Sequence, residues 1–436
     1  MTNVNARERD AVIQSLRAGV VPRVGQHLVQ VGRSRELESL IQDIDRVAGG
    51  SPTFRLVIGE YGSGKTFFLN LVRAVGLEKK LVVANADLNP DRRLHATGGQ
   101  ARSLYAELTG NLATRAKPEG GALAAVVEKF VSAVLAEAQA AGVAPNDAIH
   151  SRLEHLKEMV GGYDFANVVA SYWRGFAEGN EQLKSDAVRW LRGEFTTRTD
   201  ARQALGVRTI VDDASYYDQL KLLARFTRLA GYSGLLVCLD EMVNLYKLSN
   251  TQARNSNYEQ ILRILNDSLQ GSAQGLGWVL GGTPEFVLDT RRGLYSYPAL
   301  QSRLAENTFA KNGLVDFTGP MVRLASLSPE DFYVLLGKLR HVYAYGDESK
   351  YLLRDEALNA FMEHCRTQLG DAYFRTPRTT ITAFVNLLAV LEQNPSATWQ
   401  ALLGQVEVQK DDGGSADLQV EPESPGPIDE LTSFRL

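Results

Sequence analysis

The sequence predicts an α/β fold: a parallel five-stranded core sheet, a long helical insertion and a C-terminal helical lid. Three observations point there. Short apolar runs recur along the chain, in "TFRLVIGE", "KLVVANADL", "GLLVCLDEM", "GLGWVLGGTPE" and the start of "MVRLASLSPEDF". Such runs suit parallel strands covered on both faces. Helical periods alternate with them, as in an open α/β sheet. A Gly-rich stretch, "GEYGSGKT" (59–66), joins the first run to the helix behind it.

Taken in order, residues 6–18 read as a short amphipathic helix, and "GVVPRVGQHLVQVGR" as a loop; residues 1–30 together form a lead-in. Leu37, Leu40, Ile41 and Ile44 fall at helical spacing between Ser34 and the Gly49-Gly50 stop. The core then spans 31–325. It holds the first strand, the glycine loop, the helix "KTFFLNLVRAVG" and the second strand at 80–88. An Ala- and Leu-rich helical insertion occupies about 97–230. The third strand ends in "LDEM", the helix "NYEQILRILNDSLQG" carries Ile261, Leu262, Leu265 and Leu269 on one face, and the fourth and fifth strands close the core. Residues 326–403 read as a helical lid. The stretch 404–436 has 8 acidic and 2 basic residues with Gly and Pro, the composition of a disordered tail.

At 436 residues and 44% hydrophobic content the chain can build a large core, and length gives a prior of about two or three domains. The formal net charge of −4 argues against a globally basic nucleic-acid binder, though a local patch acts on its own. Two cysteines, Cys238 and Cys365, suggest no disulfide framework and fit a reducing cytoplasm. "MTNVNARERDAV" does not read as a signal peptide. No apolar run reaches the roughly 18 residues needed to span a bilayer, so no membrane partner is expected.

"GEYGSGKT" matches the phosphate-binding pattern G-x-x-x-x-G-K-[ST] between strand and helix. Gly59, Gly62 and Gly64 allow backbone N–H groups to wrap phosphate oxygens, with Glu60, Tyr61 and Ser63 between them and Phe67 just after. Lys65 would reach the outer phosphates, Thr66 would offer its hydroxyl to Mg²⁺, and the helix N-terminus would face the anion. "LLVCLDEM" places Asp240 at a strand's C-terminal end, on the same sheet edge. Asp240 would hold the Mg²⁺ shell and Glu241 would polarise an attacking water. The pattern therefore predicts a P-loop NTPase. No Asn-Lys-x-Asp loop for guanine is present, and the Asp-Glu pair with a helical lid argues against a small-molecule kinase.

With "VGRSREL", "GEYGSGKT", "ADLNPDRRLHATGGQARSLYAEL", "LLVCLDEM", "GGTPEF" and "YPALQSRLAEN" in place, the chain resembles the AAA+ ATPases over roughly 30–403, within them the initiator and helicase-loader branch. More narrowly it is similar to the BrxD-like ATP-binding proteins of the BREX phage-exclusion systems. The resemblance implies that Gly32 and Arg33 flank the adenine pocket and that Thr283 is sensor 1. It makes Arg303 an arginine finger acting on a neighbour's ATP, with Arg291 and Arg292 as competitors. It makes Arg378 sensor 2, with Arg375 as the nearby alternative. A cation at a helix N-terminus opposes the macrodipole, which makes sense where an anion sits close by.

The function implied is that of an ATPase needing ATP and Mg²⁺ and assembling as a homo-oligomer. It would act on a superfamily 2 helicase or another defence-system protein, or on double-stranded DNA. Initiators of this type commonly carry a winged-helix domain after the lid. Here the residues after 403 are few and acidic, so DNA contact by that route is not expected. A STAND-like nucleotide-gated switch with slow turnover is the alternative. In the insertion, "SYWRGF" and "VRWLRGEF" read either as a DNA-contacting face or as core aromatics with surface arginines. Arg92, Arg93 and His95 come after the second strand at the ligand edge, where phosphate, DNA or a neighbouring subunit are all open readings.

Overall fold

A computed structural model describes residues 4–310, 314–370 and 377–404. The expected disordered tail lies outside the described residues from 405 onward, as does Arg375. In chain order the elements are α1 (Ala6–Arg17), α2 (Gln26–Val29), α3 (Ser34–Ala48), β1 (Thr53–Ile58), α4 (Lys65–Glu78) and β2 (Val82–Asp87). The insertion consists of α5 (Gln100–Gly110), α6 (Leu123–Ala141), α7 (Pro145–Lys157), α8 (Gly162–Glu178), α9 (Glu181–Leu191), α10 (Arg198–Leu205) and α11 (Tyr216–Leu229). The core resumes with β3 (Leu235–Asp240), α12 (Val243–Tyr246), α13 (Thr251–Leu269), β4 (Leu276–Gly282), α14 (Pro284–Leu288), α15 (Pro298–Arg303) and β5 (Met321–Arg323). The lid is α16 (Pro329–Tyr343), α17 (Asp355–Leu369), α18 (Pro377–Gln393) and α19 (Trp399–Leu403).

The five strands form one parallel sheet in the order β2–β3–β4–β1–β5, as the apolar runs predict. Alternation of side chains along each strand divides the core. Phe54, Leu56 and Ile58 of β1 point to the face covered by α5, α11, α13 and the rest of the insertion. Val57, Val83, Leu236 and Val279 point to the opposite face, where α3 and α4 pack through Leu40, Ile44, Phe68 and Val72. Both faces are thus buried, which is why the strands read as continuous apolar runs.

One charge pair sits inside this frame. Arg55 of β1 and Asp43 of α3 are each about 5% exposed. The guanidinium is bidentate on the carboxylate and donates a further bond to the Gly319 carbonyl.

The insertion has its own aromatic centre. Phe226 lies 5.1 Å from Phe130 and 5.6 Å from Phe165, ring to ring. Trp190 of "VRWLRGEF" is 1% exposed and donates its indole N–H to Thr209 O at 2.8 Å. Tyr172 of "SYWRGF" is buried too, while Phe176 of the same stretch is exposed. Asp213 ties the end of the insertion to its start: its carboxylate accepts the N–H groups of Gly99 (2.6 Å) and Arg102 (2.8 Å) at the beginning of α5.

The lead-in differs from a plain loop. Leu28 and Val29 wind into the single turn of α2 because both bury themselves in the lid's apolar cluster. Val12 and Ile13 of α1 join the same cluster, against Phe332, Leu336, Phe384 and Leu388. Arg9 lies between the rings of Tyr343 and Tyr345, 4.7 and 4.8 Å from their centroids. Among the described residues no helix is long and apolar enough to cross a membrane.

Candidate functional site

β1 runs into the glycine loop at the C-terminal edge of the sheet. Gly62 and Gly64 have φ of 72° and 86°, the left-handed region that glycine enters without a steric penalty. Gly59 is needed for space, since a Cβ there would stand 2.6 Å from Ser63 Oγ. That hydroxyl is buried without a hydrogen-bond partner inside the loop. Lys65 opens α4 and donates to the carbonyls of Gly59 (2.9 Å) and Glu60 (2.8 Å). Thr66 donates its hydroxyl to Asp240 Oδ2 at 2.6 Å. The loop and the end of β3, 174 residues apart in sequence, therefore meet at one point.

Asp240 ends β3 and is 7% exposed. Its second oxygen accepts the Glu241 N–H at 2.9 Å. Glu241 has φ of 57°, uncommon for a residue with a Cβ. Burial, then the Asp240 charge, raises the Glu241 carboxyl above the ordinary range. Burial lowers the Lys65 ammonium, against the opposing pull of Asp240 and Glu241. Strand register adds a carboxylate that sequence reasoning passed over: Asp87, the last residue of β2, lies opposite Asp240. Partial burial and the Asp240 charge raise its carboxyl too. Its signal was an acidic residue closing the apolar run "VVANAD" at the ligand edge.

Gly32 and Arg33 are both left-handed, with φ of 60° and 56°. A Cβ on Gly32 would lie 3.2 Å from Asp331, which belongs to the Ser328–Asp331 capping box of α16. Arg33 donates through Nη2 to Ser63 O and through Nε to Ala325 O (3.2 Å). Burial lowers its guanidinium, while Glu36 and Asp331 oppose that shift.

A cavity of about 370 Å³ lies over the loop. Tyr61–Phe67, Arg33 and Glu241 line its polar end; Val20, Pro22, Val29, Val31, Leu335 and Ile381 line the apolar end. The lead-in and lid thus supply the apolar wall. Arg378, second residue of α18, also lines it, with Nη1 3.5 Å from Tyr61 Oη. Thr283 and Arg303 are not among the lining residues. Thr283 comes directly after β4 and caps α14, accepting the Phe286 N–H at 3.4 Å. Arg303 ends α15, is exposed, and donates to Ala299 O at 3.0 Å. Arg292 is already engaged within the chain, donating to Tyr246 O and Leu248 O at 3.1 Å each.

A glycine loop closing β1 to α4, a strand one place removed in the sheet that ends in Asp240 with Glu241 just after it, and a lid over the cavity beside them define a P-loop nucleotide-binding protein of the AAA+ type. The family model described as "BREX system ATP-binding protein BrxC/D" matches residues 4–407, and the chain belongs to that family. It is an ATP-binding protein of the BREX phage-defence system. No curated protein matches the chain.

Proposed function

We propose that the chain hydrolyses ATP with Mg²⁺ and uses nucleotide state to remodel or load a DNA-associated partner, a helicase in phage defence. The observation that carries the reading is the 2.6 Å bond between Thr66 and Asp240, with Thr66 lining the polar end of one cavity together with Lys65 and Glu241. The donor set fits the cation. Mg²⁺ is held through one or two carboxylates together with substrate phosphates, and Thr66 Oγ1 with Asp240 supplies hard oxygens where the phosphates would lie. When bound, the ion would offset charge on the phosphate oxygens.

The loop Gly59–Phe67 holds the phosphates with its N–H groups, and Lys65 exchanges its two carbonyl partners for phosphate oxygen. Gly32 and Arg33 brace the loop beside the base. Glu241 orients and deprotonates water, a task helped by a raised carboxyl. Thr283 aligns that water from the end of β4. Arg378 reads the phosphates from α18, and because α1 packs on the lid, the apolar wall moves with it. Arg303, exposed on α15, serves the site of a neighbouring copy. The lid angle then tracks nucleotide state.

The test is ATP turnover of the full chain, alone and with duplex or single-stranded DNA, with particle mass measured in the same buffers. DNA-stimulated turnover in an oligomer is expected. Turnover indifferent to DNA, with nucleotide-dependent capture of a protein partner, would replace this reading by the STAND-like switch.

A further inference from the structure

We propose that Arg292 is a positioning residue for Glu241, acting through the helical turn that comes after it. The inference rests on the hydrolytic reading above. Glu241 holds a left-handed backbone, which crowds the Cβ of an L-residue and persists only where its surroundings over-determine it. Part of that determination is local. Met242 N–H donates to Gly281 O at 3.1 Å, Asn244 N–H to Glu241 O at 3.0 Å, and Asn244 Nδ2 to Leu88 O at 2.7 Å.

The rest comes from two arginines at the other end of the turn. α12 is one turn long, so the carbonyls at its C-terminal end lack helical partners. Arg292 takes Tyr246 O through Nε and Leu248 O through Nη2, both at 3.1 Å. Arg254, 7% exposed in the first turn of α13, takes Leu248 O as well at 2.8 Å. A planar fork suits two carbonyls of one chain end, and a cation there also complements the helix dipole.

Arg292 is itself fixed. Asp289 Oδ1 accepts the N–H groups of Arg291 (2.7 Å) and Arg292 (3.2 Å), and Asp289 Oδ2 accepts the Tyr246 hydroxyl at 2.9 Å. Tyr258 donates to Arg292 O at 2.8 Å. The segment after Glu241 and the turn 289–293 are therefore bolted together from both sides. Gly293 allows the turn to close, since a Cβ there would stand 2.8 Å from three carbonyl oxygens. From Gly293 the chain runs through the short helix at 294–296 into α15, which ends at Arg303. Movement of α15 would reach the direction of Glu241 by this route.

The experiment uses the full chain in four forms besides wild type: Arg292→Ala, Arg292→Lys, Glu241→Gln, and Glu241→Gln with Arg292→Ala. Mg·ATP affinity, kcat, KM and thermal melting are measured for each. Arg292→Ala should lower kcat by ten- to a hundredfold, the scale of a misplaced catalytic group, with ATP affinity within about twofold. Arg292→Lys should recover part of kcat. On the Glu241→Gln background, Arg292→Ala should cause no further loss, because residues acting through one group are non-additive. Wild-type kcat in Arg292→Ala, or a full second loss on the Glu241→Gln background, overturns the inference while leaving hydrolysis by Glu241 intact. Wild-type kcat in Glu241→Gln overturns the hydrolytic reading, and this inference with it. Should Arg292→Ala fail to fold, Tyr246→Phe, which deletes one hydroxyl bond to Asp289, decides by the same comparison.

Discussion

Gly281 lies directly against the carboxylate of Asp240: a Cβ built on it would stand 2.5 Å from Oδ1 and 2.8 Å from a methyl carbon of Leu69. "GG" at the end of β4 is therefore a slot for the acidic residue of β3. Neither the carboxylate, bonded to Thr66 and to the Glu241 N–H, nor Leu69 can yield without moving the loop helix. Gly281→Ala should lower Mg²⁺-dependent turnover by about a hundredfold, a misplacement effect, and raise the Mg²⁺ concentration needed for half-maximal rate. A magnesium titration checks it; an unchanged titration would show that Asp240 does not need this slot.

Glu241→Gln should keep ATP affinity and lose turnover by about 10²–10⁴-fold, the contribution typical of a positioned base. The pH profile carries a second signature. Burial and Asp240 raise the Glu241 carboxyl, so it protonates at a higher pH than a free glutamate, and a protonated carboxyl cannot accept from water. kcat/KM, which reports the free enzyme, should therefore begin to fall at a higher pH than it would with an ordinary glutamate. The same limb should vanish in Glu241→Gln. A flat acid limb in the wild type would contradict the assignment.

How much of this was legible in the sequence depends on range. The glycine loop, the Asp-Glu pair and the five strands are local patterns, each complete within about ten residues, and the structure places them as read. Strand order is not local, so Asp87 opposite Asp240 needed the register of β2 on β3. The apolar wall from Val20 and Pro22 was hidden for another reason. α1 packs on the lid more than 300 residues away, and nothing in "GVVPRVG" marks that. Arg292 read, with Arg291, as a competitor for the arginine finger, because its carbonyl partners at Tyr246 and Leu248 carry no side-chain signal.

The buried pair Arg55–Asp43 gives a stability prediction separate from chemistry. Both side chains are almost fully enclosed, so removing Asp43 leaves the Arg55 charge buried without its carboxylate. Asp43→Ala should cost about 3–5 kcal/mol, read as a lower denaturant midpoint. Replacing both by apolar residues of similar volume should cost far less. Equal losses in the single and double variants would mean that the shape of the pair, not its charge, supports β1 against α3.

Arg303 sits exposed at the end of α15, outside the cavity of its own chain. If it completes a neighbour's site, Arg303→Ala and Glu241→Gln damage different halves of one interface. Each alone should abolish most turnover, by about 10³-fold for the arginine if it stabilises the transferred phosphoryl group. Mixed in one assembly, some interfaces would pair an intact Glu241 with an intact Arg303, and turnover should recover in part. Recovery should track the mixing ratio and disappear on dilution below the assembly range. A mixture shown by mass to co-assemble, yet as inactive as either parent, would place Arg303 outside the shared site and return Arg291 as the candidate.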